Sequence, residues 1–312
     1  MNKKTVIIIS TILIGAAALV YIAVTFQWAE IWKVLRQADL PVFLAGSSLA
    51  VIFYWLLRSF RWAILIKNNG IEIPFIKVYF YTVLSAGFSI ITPFQSGEAF
   101  KIELLHKYGG RRATGYADFI LERWLDLIVV LILAFISLTA GFNLGVSLWI
   151  FYALIFGFIL SSIAAVSFII LARGAKIEFL RGWLIDKWNR KGMIFGLFLL
   201  TLASWSVVAT GWQIALRSLS INLDFIQSAA LLSLTTLIGI LSFVPGGVGV
   251  SEISVTTILT KAGYDSVLAQ SGAIAVRGFT VLIVFLAVLH LFLLKIHNIY
   301  KRQYKSAEEL FK

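Results

Sequence analysis

The sequence predicts an all-α integral membrane protein, a polytopic bundle of about six to eight transmembrane segments with two re-entrant, broken-helix hairpins entering from opposite faces. Of the 312 residues, 60% are hydrophobic and 13% charged, against roughly 45–50% and about 25% in soluble domains. A soluble fold cannot hide that much apolar surface. Runs of roughly 18 or more apolar residues recur along the chain. The Lys and Arg residues behind the net charge of +12 fall mostly between those runs, as expected of loops held at an anionic cytoplasmic leaflet.

Taken in order, the apolar runs predict spans at residues 5–25, 41–57, 75–92, 119–140, 146–172, 194–216, 226–244 and 268–294. The first follows Lys3 and Lys4, is long, and shows no small-residue cleavage site, so it reads as a retained helix with a cytoplasmic N-terminus. After it, Trp28 and Trp32 lie at i, i+4 beside Glu30 and Lys33, the pattern of an interfacial amphipathic segment. Trp183 and Trp188 read the same way within the basic connection 173–193. The cationic connections are taken as Arg58–Lys67, His106–Arg112, Arg173–Lys191 and the tail from Lys295, which places the C-terminus on the cytoplasmic side of the cell membrane as well. The whole chain, 1–312, reads as one transmembrane domain with pseudo-repeat halves at about 41–172 and 194–294.

Keeping every cationic connection on one side makes residues 75–106 a re-entrant hairpin and residues 226–260 a second one from the opposite face. Each breaks at a proline followed four residues later by a glycine, Pro93 to Gly97 and Pro245 to Gly249, the second break also holding Gly246 and Gly247. Opposed broken helices in two halves are how inverted-repeat transporters build a site near the midplane. The alternative is that the prolines kink two complete spans; irregular backbone at that depth still requires protein or a wet cavity around it.

The candidate site residues follow from these breaks. Arg277 lies about 14 Å into the last span at 1.5 Å per residue, where an isolated cation is costly. It reads either as an ion pair to Glu252 or as a receptor for an anionic lipid headgroup, since a guanidinium offers two parallel donors to phosphate. Glu122, Arg123 and Asp126 open the fourth span as a cluster at i, i+1 and i+4, either an interfacial, snorkelling set or part of a site. Glu98 and Lys101 follow the first break, and Glu252 the second. The two glutamates read as caps of helix N-termini or as gating, proton-carrying groups.

Other chemistries are excluded or unsupported. There is no Cys, hence no disulfide, thiolate metal site or catalytic thiol. The run Pro245–Gly249 lacks the Lys-Ser or Lys-Thr ending of a phosphate-binding loop, and His106, His290 and His297 have no ligand spacing. No metal or cofactor is expected, and no nucleic acid, since no basic stripe with interleaved aromatics occupies a polar domain.

Arg58, Arg61 and Trp62, the stretch from Pro93 through Gly97, Glu98 and Lys101, the set Glu122, Arg123 and Asp126, and Pro245–Gly249 with Glu252 together resemble the transmembrane domain of lysylphosphatidylglycerol synthases and its stand-alone relatives. The resemblance spans most of the chain. It implies a polytopic domain that moves lipids between leaflets, among them aminoacylated phosphatidylglycerol and, in some relatives, polyprenyl-linked sugars. Full-length synthases continue into a soluble aminoacyl-transferase domain, whereas this sequence stops at Lys312; it is therefore expected to be a transporter rather than an enzyme. The expected function is a flippase for a phosphate-containing lipid, with Arg123, Arg277 and Lys101 holding the headgroup and Glu98, Glu252, Glu122 and Asp126 gating. Two rivals stand beside it: an intramembrane enzyme acting on a polyprenyl-phosphate lipid with Glu98 or Glu252 as acid or base, and an accessory subunit of a separate transferase.

Overall fold

The computed structural model describes residues 3–92, 97–139, 156–157 and 190–310. Among them every regular element is helical, and four helical stretches are long and apolar enough to cross a membrane: Val42–Asn68, Lys191–Arg217, Phe225–Ser242 and Ser266–Leu294. The expected span at 146–172, most of the connection 173–193 with its two tryptophans, and Pro93 lie outside the described residues.

Helix α1 (Lys3–Thr25) meets α2 (Trp28–Arg36) at a bend of 79°. Bending frees backbone donors, and the side chain of Gln270 accepts the Gln27 N–H at 2.9 Å. Ile22, Phe26 and Ile31 are buried around the elbow against Ile253 and Ile274, while Trp28 and Trp32 stay exposed. Arg36 lies over the Trp32 ring at 5.0 Å. The amphipathic reading of this segment is thus realised as a short helix with an apolar inner face.

After a π turn at Val42–Gly46, α3 runs Ser47–Asn68 and packs most extensively against α7 (Lys191–Arg217). This corrects the expectation of a span ending at residue 57 and a cationic connection from Arg58 to Lys67. The helix continues without a break, and Arg58 and Arg61 are 2% and 1% exposed. Their charges look inward because carboxylates from distant parts of the chain meet them there. Loop charges and buried, paired charges look alike in a local window.

Two pairs of helices follow, one on either side of residues 93–96 and one on either side of a turn at Pro245, where the Pro-Gly pattern places a break. In the first, α4 (Phe75–Ile91) packs against α5 (Phe100–Lys107), which leads into α6 (Arg112–Thr139). In the second, α8 (Phe225–Ser242), a 3-10 turn at Pro245–Gly247 and α9 (Val250–Lys261) lead into α10 (Ser266–Leu310). Asp224 starts α8 with a full capping box, its side chain accepting from the Gln227 N–H at 2.7 Å. Packing between the hairpins is reciprocal: α6 lies on α8, α10 lies on α4, and α3 lies on α7.

The surface is inverted relative to a water-soluble protein. Large apolar side chains such as Leu241, Phe195, Phe285 and Val248 face outward, whereas Arg58, Arg61, Lys101, Glu122 and Asp126 are buried. Lipid tolerates the first set outside, and only mutual pairing tolerates the second inside. The protein is a polytopic helical membrane protein.

Candidate functional site

The first group of site residues forms where three helices and the first break meet. From α3, Arg58 Nη2 donates to Glu98 Oε2 at 2.7 Å and approaches Asp126 Oδ2 at 3.3 Å. One turn on, Arg61 reaches Glu122 through Nε at 2.9 Å and Asp126 through Nη1 at 2.7 Å. Lys101 of α5 closes the figure, lying 2.5 Å from Glu122 Oε2 and 3.5 Å from Glu98 Oε2. The six side chains thus alternate in sign around a closed ring: Arg58, Glu98, Lys101, Glu122, Arg61, Asp126. All are at most 6% exposed in their side chains. Burial at this level is tolerated because every charge touches two opposite charges and the ring sums to zero.

Neutral groups fix the ring further. Tyr54 accepts from Arg58 Nη1 at 2.7 Å. From α7, Thr201 accepts from Arg61 at 2.9 Å and Trp205 Nε1 donates to Asp126 Oδ1 at 3.2 Å. The Lys101 ammonium lies 4.8 Å over the Trp62 ring. Arg123 joins from outside the ring, 2.7 Å from Glu98 and 2.6 Å from Asp126, with its side chain 22% exposed. The interfacial, snorkelling reading of Glu122, Arg123 and Asp126 is therefore corrected for the carboxylates. Because α6 starts at Arg112 rather than near residue 119, Glu122 sits roughly 15 Å along it at 1.5 Å per residue and points into the bundle.

The second group lies at the other break. The guanidinium of Arg277 pairs with Glu252, donates to the carbonyls of Gly246 and Gly247 at 3.1 and 3.3 Å, and to Ser251 Oγ at 3.2 Å. The other carboxylate oxygen of Glu252 accepts the Gly249 N–H at 2.8 Å. Both readings left open for Glu252, cap and ion-pair partner, are present in one side chain, and Arg277 satisfies carbonyls that the broken helix would otherwise leave unpaired in the membrane.

The two breaks are backed onto the same turn of α4. At Gly97 a Cβ would fall 2.5 Å from the Phe88 carbonyl carbon and 2.7 Å from Ser89 N, and the Gly97 N–H donates to Thr92 Oγ1 at 2.8 Å. At Gly246, which has φ +60°, a Cβ would fall 2.6 Å from Ile90 O. Glycine is required at both because backbone packs on backbone.

The structure therefore gathers the predicted residues into two groups, Glu98, Lys101, Glu122, Arg123 and Asp126 in one, and Glu252, Arg277 and the Gly246–Gly249 run in the other. The resemblance pointed to Arg58 and Arg61, but the local reading put them in a loop; Tyr54, Thr201 and Trp205 were missed. One signal was available: Tyr54, Arg58, Arg61 and Leu65 share a helix face at spacings of 4, 3 and 4. Among the described residues no group of three or more His, Asp or Glu side chains is arranged to hold a metal ion.

No curated protein matches the chain. The family model described as the lysylphosphatidylglycerol synthase TM region matches residues 7–287, nearly the whole sequence and both groups of site residues, and the chain belongs to that family.

Proposed function

We propose that the protein is a flippase that carries a phosphate-containing lipid across the cytoplasmic membrane, with both termini on the cytoplasmic side. The observation that carries this reading is the convergence of two charged helix breaks on the last turn of α4. One break holds a cluster with a partly exposed arginine, and the other is latched by Arg277. Broken helices that meet inside a bundle supply polar groups at depth and a place where rigid halves can rock. Arg123 receives the headgroup phosphate; release of the Arg277–Glu252 latch opens the second break, and Arg277 takes the phosphate over. Transport fits better than acid–base chemistry because the carboxylates of Glu98 and Glu252 are both committed to arginine partners rather than presented to a substrate.

Reconstituted proteoliposomes carrying fluorescent phosphatidylglycerol test this. Wild-type protein should let an external quencher reach label that began in the inner leaflet. Folded Arg277→Ala protein should fall to the protein-free rate, with Arg277→Lys intermediate because an ammonium cannot make the bidentate contact. An Arg277→Ala protein that translocates at the wild-type rate refutes the assignment.

A further inference from the structure

Helix α1 covers the second break, and the way it is held determines what it can do there. Among the described residues its contact with the bundle is a single stripe, Gly15, Ala18, Ile22 and the elbow residue Phe26, which share one helix face. A Cβ at Gly15 would fall 3.3 Å from Val244 Cγ1. At Gly249 a Cβ would fall 2.6 Å from Ala18 Cβ and 3.2 Å from the Ala18 carbonyl carbon, so α1 lies close against the residue whose N–H the Glu252 carboxylate accepts. Further along, Ile22 and Phe26 pack with Ile253 and Ile274. The remaining faces of α1 are turned to lipid, with Leu13, Leu19, Val20 and Val24 all exposed.

The two ends of this segment are held differently. Beyond the 79° bend, α2 is fixed on α10, the helix that carries Arg277: it packs there, buries Ile31, and the Gln27 N–H at its start donates to Gln270 at 2.9 Å. Across the seam between α1 and α9, by contrast, no hydrogen bond or ion pair joins the described residues. The seam is apolar contact alone, and in a bilayer such contact exchanges for lipid chains at little cost, because the chains are as apolar as the side chains they replace. A lipid whose headgroup enters the bundle keeps its acyl chains in hydrocarbon, so a headgroup site needs an opening to the side. We propose that α1 is the lateral gate of the second break: it swings about the elbow at Phe26 and Gln27, and an acyl chain occupies the seam it vacates while the phosphate meets Arg277. The proposal deepens the transport reading and rests on it.

The chain has no cysteine, so a protein with Gly15→Cys and Val244→Cys can form one disulfide across the seam, at a place where the Gly15 Cβ position already lies in contact with Val244. Proteoliposomes carrying fluorescent phosphatidylglycerol compare the oxidised and reduced forms of that same protein. Translocation should be lost on oxidation and restored by a reductant; oxidised protein, shown by mass to be cross-linked, that translocates at the reduced rate overturns the gate. A second measurement needs neither the disulfide nor translocation, and it decides the matter if the disulfide does not form. Spin labels on cysteines at Val20 and Thr257, both exposed, should report two distances whose proportions shift when phosphatidylglycerol is added. One distance, unchanged by lipid, would make α1 a fixed cover and overturn the proposal. Translocation that survives the cross-link removes the gate and leaves transport standing, whereas two lipid-dependent distances in a protein that does not translocate leave the gate and remove transport.

Discussion

Glu122→Gln tests whether the ring is held by charge closure. Glu122 is fully buried and holds Arg61 at 2.9 Å and Lys101 at 2.5 Å. The substitution keeps the shape but removes a negative charge, so the ring goes from neutral to one positive charge and Lys101 is left with Glu98 at 3.5 Å. Breaking one partner out of a buried pair destabilises by about 3–5 kcal/mol, and we expect a loss in that range from equilibrium unfolding of the detergent-solubilised protein. Lys101→Met should also destabilise, because Glu122 then keeps only Arg61. Removing both at once discards a whole pair and returns the ring to neutrality. The double variant should be more stable than the sum of the single losses predicts, by about 2–3 kcal/mol of coupling. Losses that add to within about 0.5 kcal/mol would refute the ring as a coupled unit.

Two further outcomes follow from the second break. Gly246→Ala should cost more than about 2 kcal/mol, because the residue sits at φ +60° and its Cβ would meet the Ile90 carbonyl oxygen at 2.6 Å. Gly70→Ala, at φ +74° with open space around it, should cost only about 1 kcal/mol, so equal thermal shifts would show that the α4 contact is unimportant. Arg277→Ala should speed amide hydrogen exchange across Val244–Glu252 while leaving α7 protected. Arg277→Lys should restore at most part of that protection, since one ammonium cannot reach Glu252 and the carbonyls of Gly246 and Gly247 together.

The sequence by itself determined the solvent, the helical class and the places where helices break. Those properties are local: apolar run length sets a span, and Pro245 with its glycines stops a helix whatever surrounds it. It also identified Glu98, Arg123, Glu252 and Arg277 as candidates, because a charge inside an apolar run requires a partner. Only the tertiary structure decided where the partners were. Arg58 meets Glu98 across 40 residues of chain and Arg61 meets Asp126 across 65. Within a helix-length window only the shared face of Tyr54, Arg58, Arg61 and Leu65 separates such an arginine from one in a cytoplasmic loop, and charge alone sets the α3 boundary eleven residues too early. The same distance dependence hid the division of labour within the site. That Arg123 meets Glu98 and Asp126 from outside a closed ring, while Arg277 is committed to the carbonyls of a broken helix, depends on which oxygens converge on each guanidinium, and that is fixed by how α3, α5, α6 and α7, and α9 and α10, pack.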